Sequence, residues 1–188
     1  NRPANYGENL ALNKKVECSG TRDEWWMYDK EGNMLPDAYK NVKPENAVDG
    51  DVSTSFTSYQ GDNQWITVDL EKNYTLGRVV INWNADAGKM YDVMVSADNK
   101  NWTTVHRVLK GYAFKNDNFT FYQENVRYVK VLGYTKVESG SGIGITELSV
   151  YQYKQGDSKD NETIQDLPTR QIINNANGKG SYVSGEMY

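Results

Sequence analysis

The run Asn46-Ala47-Val48-Asp49-Gly50-Asp51-Val52-Ser53-Thr54-Ser55-Phe56 gathers the side-chain oxygens of Asp49, Asp51, Ser53 and Thr54 into one tight turn. Hard oxygen donors at such spacing suit a calcium ion. The spacing is not that of an EF-hand, because its sixth position is Thr54 instead of glycine and its twelfth is Gln60 instead of glutamate. A solvated Asx turn with Gly50 at a positive backbone angle satisfies the same composition.

A second group of residues mixes aromatic faces with amides and carboxylates. It is spread over three stretches, 20–43, 57–63 and 82–89. Trp25, Trp26, Tyr28, Asp29 and Lys30 stand in the first, Tyr59 in the second, Trp83 and Asn84 in the third. A pyranose offers an apolar C–H face to a ring and hydroxyls to planar donors and acceptors, so this mixture suits sugar recognition. Two adjacent tryptophans on an extended chain cannot both point inward. One of Trp25 and Trp26 is therefore expected at the surface, with Trp65 and Trp102 in packing roles inside strands. The carboxylates fall mostly in turns or in the cation-like run, and no pair stands out as the acid and base of a glycosidase. A binding module is expected, not an enzyme.

The elements that must hold these loops are short β-branched and aromatic runs between turn clusters, the pattern of an all-β sandwich. Residues 65–70 and 91–96 alternate in and out, and 76–83 is nearly continuous. Asp98-Asn99-Lys100-Asn101 is a turn. Later runs are 119–121, 126–131 and 146–151, and a single helical turn is expected near Pro44. The sandwich is expected over 7–155. Residues 156–188 read as a polar linker or C-terminal tail with a segment able to pack back.

Composition narrows the function classes. Hydrophobic residues make up 38% and charged residues 24% of 188, with a net charge of −4. No basic stripe exists for phosphate backbones, which excludes nucleic acid as the expected partner. Cys18 is the single cysteine, so it forms no internal disulfide and is expected as a small packed side chain. Around Trp25, Trp26 and Met27, a candidate membrane spike, Arg22 and Lys30 are offset by Asp23, Glu24, Asp29 and Glu31. That balance argues against anionic lipid.

An ordered series of motifs sharpens this reading. Asn9-Leu10-Ala11-Leu12-Asn13-Lys14, Ala47-Val48-Asp49-Gly50-Asp51 with Thr54-Ser55-Phe56, and Gln64-Trp65-Ile66-Thr67-Val68-Asp69-Leu70 come first. Ser96 to Trp102, Arg127-Tyr128-Val129-Lys130-Val131 and Ile145-Thr146-Glu147-Leu148-Ser149-Val150-Tyr151 follow in order. The set resembles the discoidin, or coagulation factor C-type, domains, and within them the family 32 carbohydrate-binding modules appended to secreted bacterial glycoside hydrolases. Phe56 stands where that family carries tryptophan. The resemblance implies a galactose-binding-like jelly-roll β-sandwich of about five plus three antiparallel strands. It also implies a structural calcium held by Asp49, by oxygens of Asp51 and Thr54, by the Glu147 carboxylate, and by carbonyls near Asn46 and Thr146. The sugar would sit in the three aromatic stretches and in 133–144. Galactose binders of the family commonly grip an axial hydroxyl with His and Arg around the third loop, and 82–89 has neither. Glycans ending in N-acetylglucosamine are therefore expected, with galactose or N-acetylgalactosamine, or a membrane lipid, as the alternatives. The expected setting is a monomeric module of a multimodular chain, secreted or on the cell surface.

Overall fold

The computed structural model describes residues 5–168. Residues 169–188 of the expected tail lie outside the described residues. Seven strands run β1 (Lys15–Cys18), β2 (Phe56–Thr57), β3 (Gln64–Trp83), β4 (Gly88–Ser96), β5 (Thr103–Val108), β6 (Asn116–Lys136) and β7 (Gly144–Gln152). Every pairing among them is antiparallel.

The two runs expected as separate strands at 65–70 and 76–83 are halves of one strand, β3. Run straight, its 20 residues would stretch roughly 65 Å, far longer than one layer. The strand turns a corner instead. Glu71 takes φ 75° and Asn125, on the partner strand β6, takes φ 59°. The β3–β6 register slips between Asp69 and Tyr74, the local kinking that a bulge produces.

The first half of β3 pairs with β1 and with 128–133 of β6, which continues to β4 and β5. The second half pairs with β7 and with 116–123 of β6. The result is five strands facing three, the expected sandwich, with two-residue β2 added to the edge of β7. Alternation fills the space between the layers. Ile66, Val68 and Leu70 from one half of β3 and Leu76, Val79 and Ile81 from the other are wholly buried, together with Val129, Val131, Leu148 and Val150. Cys18 packs, partly buried, against this core.

Trp65 and Trp102 pack on the outer face instead of inside. Each is half-buried, with the Lys130 ammonium 5.0 Å from the Trp65 ring centre and 4.2 Å from that of Trp102. The parity of β3 dictates this, since Trp65 alternates with inward Ile66.

The stretch 20–43 is more ordered than a plain loop. A 3-10 turn at Trp25–Met27 and a short helix α1 (Pro36–Lys40), with Pro36 at its first turn, bury Met27, Ala38 and Val42 against each other. After β7 the chain folds back. Residues 161–167 lie along β5 and β6, and Leu167 is buried. Among the described residues no helix is long and apolar enough to cross a membrane.

Candidate functional site at one end of the sandwich

β3 ends, β4 begins and β7 begins at the same end of the sandwich, and the connections there are sewn together by backbone and side-chain hydrogen bonds. The Asn84 N–H donates to the Gly144 carbonyl (3.0 Å), and the Phe114 N–H donates to the Asn84 carbonyl (3.0 Å). Asn84 lies directly over Gly144, where a Cβ would fall 2.1 Å from the Asn84 side-chain oxygen. Any larger residue at 144 would push Asn84 away. The Asp86 carboxylate accepts from the Ser141 N–H (2.8 Å) and hydroxyl (3.2 Å).

The first stretch is tied down in the same way. The Arg22 N–H donates to the Thr57 carbonyl (3.1 Å), the Thr57 hydroxyl to the Asn41 carbonyl (2.7 Å), and the Gln60 amide to the Glu24 carboxylate (3.1 Å). Between these connections opens a cleft of about 450 Å³. Arg22 and Trp26 line it from the first stretch, Asp37 and Asn41 from α1 and its end, Val52 to Ser55 from the cation-like turn, and Asn84 to Asp86 from the third stretch. Ala38, Val42, Thr57, Phe114 and Thr146 complete the lining.

Its aromatic faces are accessible. Phe114 is 74% exposed and Trp26 46% exposed. The Arg22 guanidinium lies 5.4 Å from the Trp26 ring centre and 3.9 Å from the Glu24 carboxylate, while its Nε is buried without a hydrogen-bond acceptor. The Asp37 carboxylate has no hydrogen-bond or ion-pair partner among the described residues. The cleft thus presents two apolar rings, a planar cationic donor and a free carboxylate, the elements needed to hold a polyhydroxylated ring.

Of the expected sugar residues, Trp26 and Asn84 line this cleft. Trp25 is 86% exposed but points elsewhere on the same turn, so both tryptophans are exposed where one was expected. The 3-10 backbone, unlike an extended chain, lets both face outward. Tyr28 donates to Asp23 (2.8 Å) and packs on the Met27 cluster. Asp29 caps its own turn by accepting from the Glu31 and Asn33 N–H groups, and these bonds hold its carboxyl below the usual range; Lys30 is an exposed residue of that turn. Tyr59 is half-exposed outside the cleft lining.

Trp83 is a correction. It is 3% exposed and packs edge-on against Tyr91 at 4.8 Å, because it shares the inward parity of Val79 and Ile81. Arg22, Asp37 and Phe114 were not foreseen. Phe114 follows the turn-rich Gly111-Tyr112-Ala113, and an aromatic after such a turn was the available signal.

The cation-like run folds as an Asx turn with Gly50 at φ 76°. Asp49 accepts from the Asp51 N–H (2.9 Å) and the Thr54 hydroxyl (2.5 Å). Glu147, from β7, is buried and set against the Asp49 carboxyl. Burial, followed by that neighbouring acid, pushes it up to about 8 despite N–H bonds from Gly50 and Asp51. Its Oε1 meets no donor. Two facing acids with an orphaned oxygen, beside the hydroxyl of Thr54, form a donor set that fits a hard divalent cation. Thr54 and Thr146 also border the cleft, whereas Asp49 and Glu147 do not line it. The Asn46 side chain is used structurally, donating to the Tyr39 and Ser55 carbonyls (3.0 Å each). Among the described residues no three His, Cys, Asp or Glu side chains cluster as a metal site, so further ligands would come from hydroxyl and backbone oxygens.

Residues 46–131 match the family model described as a NedA-like, galactose-binding domain. Chitosan-binding module 1 of a chitosanase/glucanase from Paenibacillus sp. IK-5 is 31% identical, with 77% of this chain and 99% of that module covered and a TM-score of 0.63. Module 2 of the same enzyme, solved with chitotriose, is 29% identical, with coverage of 76% and 99% and a TM-score of 0.62. The polysaccharide lyase 8 family protein HylA of Enterococcus faecalis is 28% identical over 122 residues, 64% of this chain, but the match spans only 8% of that protein. Matched along nearly the whole length of a solved module, this chain belongs to the galactose-binding-like, F5/F8 type C-like domain family.

Proposed function

We propose that the chain is a non-catalytic carbohydrate-binding module of the family 32 branch whose end cleft takes gluco-configured amino sugars, glucosamine or N-acetylglucosamine, at a glycan terminus. The observation that carries this reading is the cleft itself. Trp26 and Phe114 offer faces for pyranose C–H groups, Arg22 and Asn84 offer donors to hydroxyls, and the partnerless Asp37 carboxylate offers an acceptor to a sugar amine or amide N–H. The two chitosan-binding modules at 31% and 29% identity support the choice of sugar.

In this reading Asp49, Glu147 and oxygens of Asp51, Thr54, Asn46 and Thr146 would hold a calcium ion, which would neutralise the facing acids and tie the 49–54 turn to β7. Its role would be structural, because Asp49 and Glu147 do not line the cleft. The module serves a polysaccharide-degrading parent, hydrolase or lyase, outside the cell.

A galactose or N-acetylgalactosamine ligand is the second reading. It is favoured by Arg22, which lines the same cleft as the third loop and can supply the cationic grip that 82–89 lacks. A glycan panel containing chitooligosaccharides, galactose-terminated sugars and a liposome control separates the readings. Retention on galactose alone overturns the first, and a reducing-sugar assay on the same chain must stay silent.

A further inference from the structure

The only histidine of the chain, His106, lies on β5, does not line the cleft, and has carboxylates facing both its ring nitrogens. Nε2 is 2.8 Å from Asp117 Oδ2, and Nδ1 is 2.8 Å from Glu162 Oε2. The ring stacks on Phe119 at 3.8 Å, with 13° between the planes. Asp117 also accepts from the buried Tyr91 hydroxyl.

A neutral imidazole has one donor and one lone pair. With acids on both sides, a neutral ring would turn its lone pair on a carboxylate, so the arrangement requires the imidazolium.

Glu162 is not part of the sandwich. It belongs to 161–167, which folds back after β7. Its carboxylate also accepts from the Arg107 N–H (2.9 Å), and the Arg107 guanidinium donates to the Gln165 carbonyl (2.7 Å). Asn161 mimics a strand partner, accepting from the Tyr122 N–H (2.7 Å) and donating to the Tyr122 carbonyl (3.0 Å).

We infer that the outer edge of β5 and β6 is a docking surface for the chain's own 161–167 segment, and that the hold is proton-dependent through His106. The segment is the occupant because its acid, its amide and a backbone carbonyl each meet a complementary group there.

When His106 loses a proton, the nitrogen facing Asp117 keeps the one that remains. Asp117 is 7% exposed and has little water to replace the bond, whereas the Glu162 side chain is 35% exposed. The lone pair therefore turns toward Glu162, and the segment loosens from that side.

The charged groups around the ring agree. Desolvation opposes its charge, but Asp117 and Glu162 together outweigh it and raise the His106 pKa. Tyr91 and Lys115 act through Asp117, and the Arg107 guanidinium is turned to Asp92. A folded-state pKa above the free value near 6.5 means docking is strongest below that value and weakens as pH rises through the docked one. Each unit of elevation due to the segment weakens docking about tenfold on full deprotonation.

Nuclear magnetic resonance of the single imidazole, paired with hydrogen exchange of the Arg107 and Tyr122 amides, which the segment's side chains accept from, and corrected for intrinsic pH dependence, tests this in the full chain. Both ring nitrogens should be protonated at pH 6, with a midpoint above the free value. Protection of these two amides should fall with that same midpoint while the paired amides of β3 hold theirs. Glu162→Gln should lower the midpoint and flatten the pH dependence of protection. A midpoint at or below the free value, or protection of these amides indifferent to pH in the parent chain, overturns the inference.

Discussion

The Glu147 carboxyl sits against that of Asp49, with its Oε1 meeting no donor, although the two residues belong to different elements almost a hundred positions apart. Two like charges facing each other in a buried place destabilise a fold unless a proton or a cation lies between them. A cation bound only by the native state raises stability with its concentration. At a hundredfold excess over Kd the gain is about 2.7 kcal/mol, or roughly 5–11 °C for a chain of this size. Melting in chelator should therefore fall, and calcium should restore it where magnesium, which dehydrates reluctantly, does not. Asp49→Ala should melt low and ignore calcium. A chelator-treated chain that melts like the untreated one contradicts the cation site.

Neighbouring tryptophans separate cleft from surface. Trp26 lines the cleft under the Arg22 guanidinium, while the more exposed Trp25 does not. Removing a ring on which a sugar stacks costs about 1–3 kcal/mol, roughly 5- to 150-fold in affinity. Trp26→Ala and Phe114→Ala should each lose most binding at an unchanged melting temperature, and Trp25→Ala should retain it. Calorimetry of the three variants beside the parent decides, and loss confined to Trp25→Ala would move the site to the outer face of the turn.

Asp37 bears on which amino sugar is preferred. A free carboxylate attracts an ammonium more than an acetamide, and the attraction weakens with salt. Glucosamine oligomers should bind better than their acetylated forms at acidic to neutral pH, and the preference should shrink as pH rises and the sugar amine loses its proton. Asp37→Asn should abolish the preference while leaving acetylated ligands bound as before. Equal binding of both forms by the parent would remove Asp37 from the specificity account without touching the cleft.

Much of the architecture was readable because it follows from local rules. Alternation in 65–70 and 91–96 sets which side chains enter the core, and Asn99 in its turn adopts φ 62°, as the Asp98–Asn101 composition requires. Past the register shift at 76–78 the inward parity passes to Val79 and Ile81, and one step further it places Trp83 on the buried face. Its aromatic character had suggested a binding role that its position in the strand forbids. The cleft was only half readable because its remaining residues come from elements that pattern does not reveal. Asp37 depends on a five-residue helix inside an apparent loop, and Phe114 reaches the cleft through a backbone bond to Asn84. Side chains gathered by folding from distant stretches leave no spacing to read.

The account's central claim is that this cleft binds an amino sugar, and calorimetric titration of the calcium-loaded chain with chitotriose tests it most directly. A cleft this open around one or two rings gives weak, saturable binding, with Kd on the order of 0.1–1 mM, one ligand per chain, and loss of heat in Trp26→Ala. No heat with chitotriose or its acetylated form, or binding that Trp26→Ala leaves intact, contradicts it.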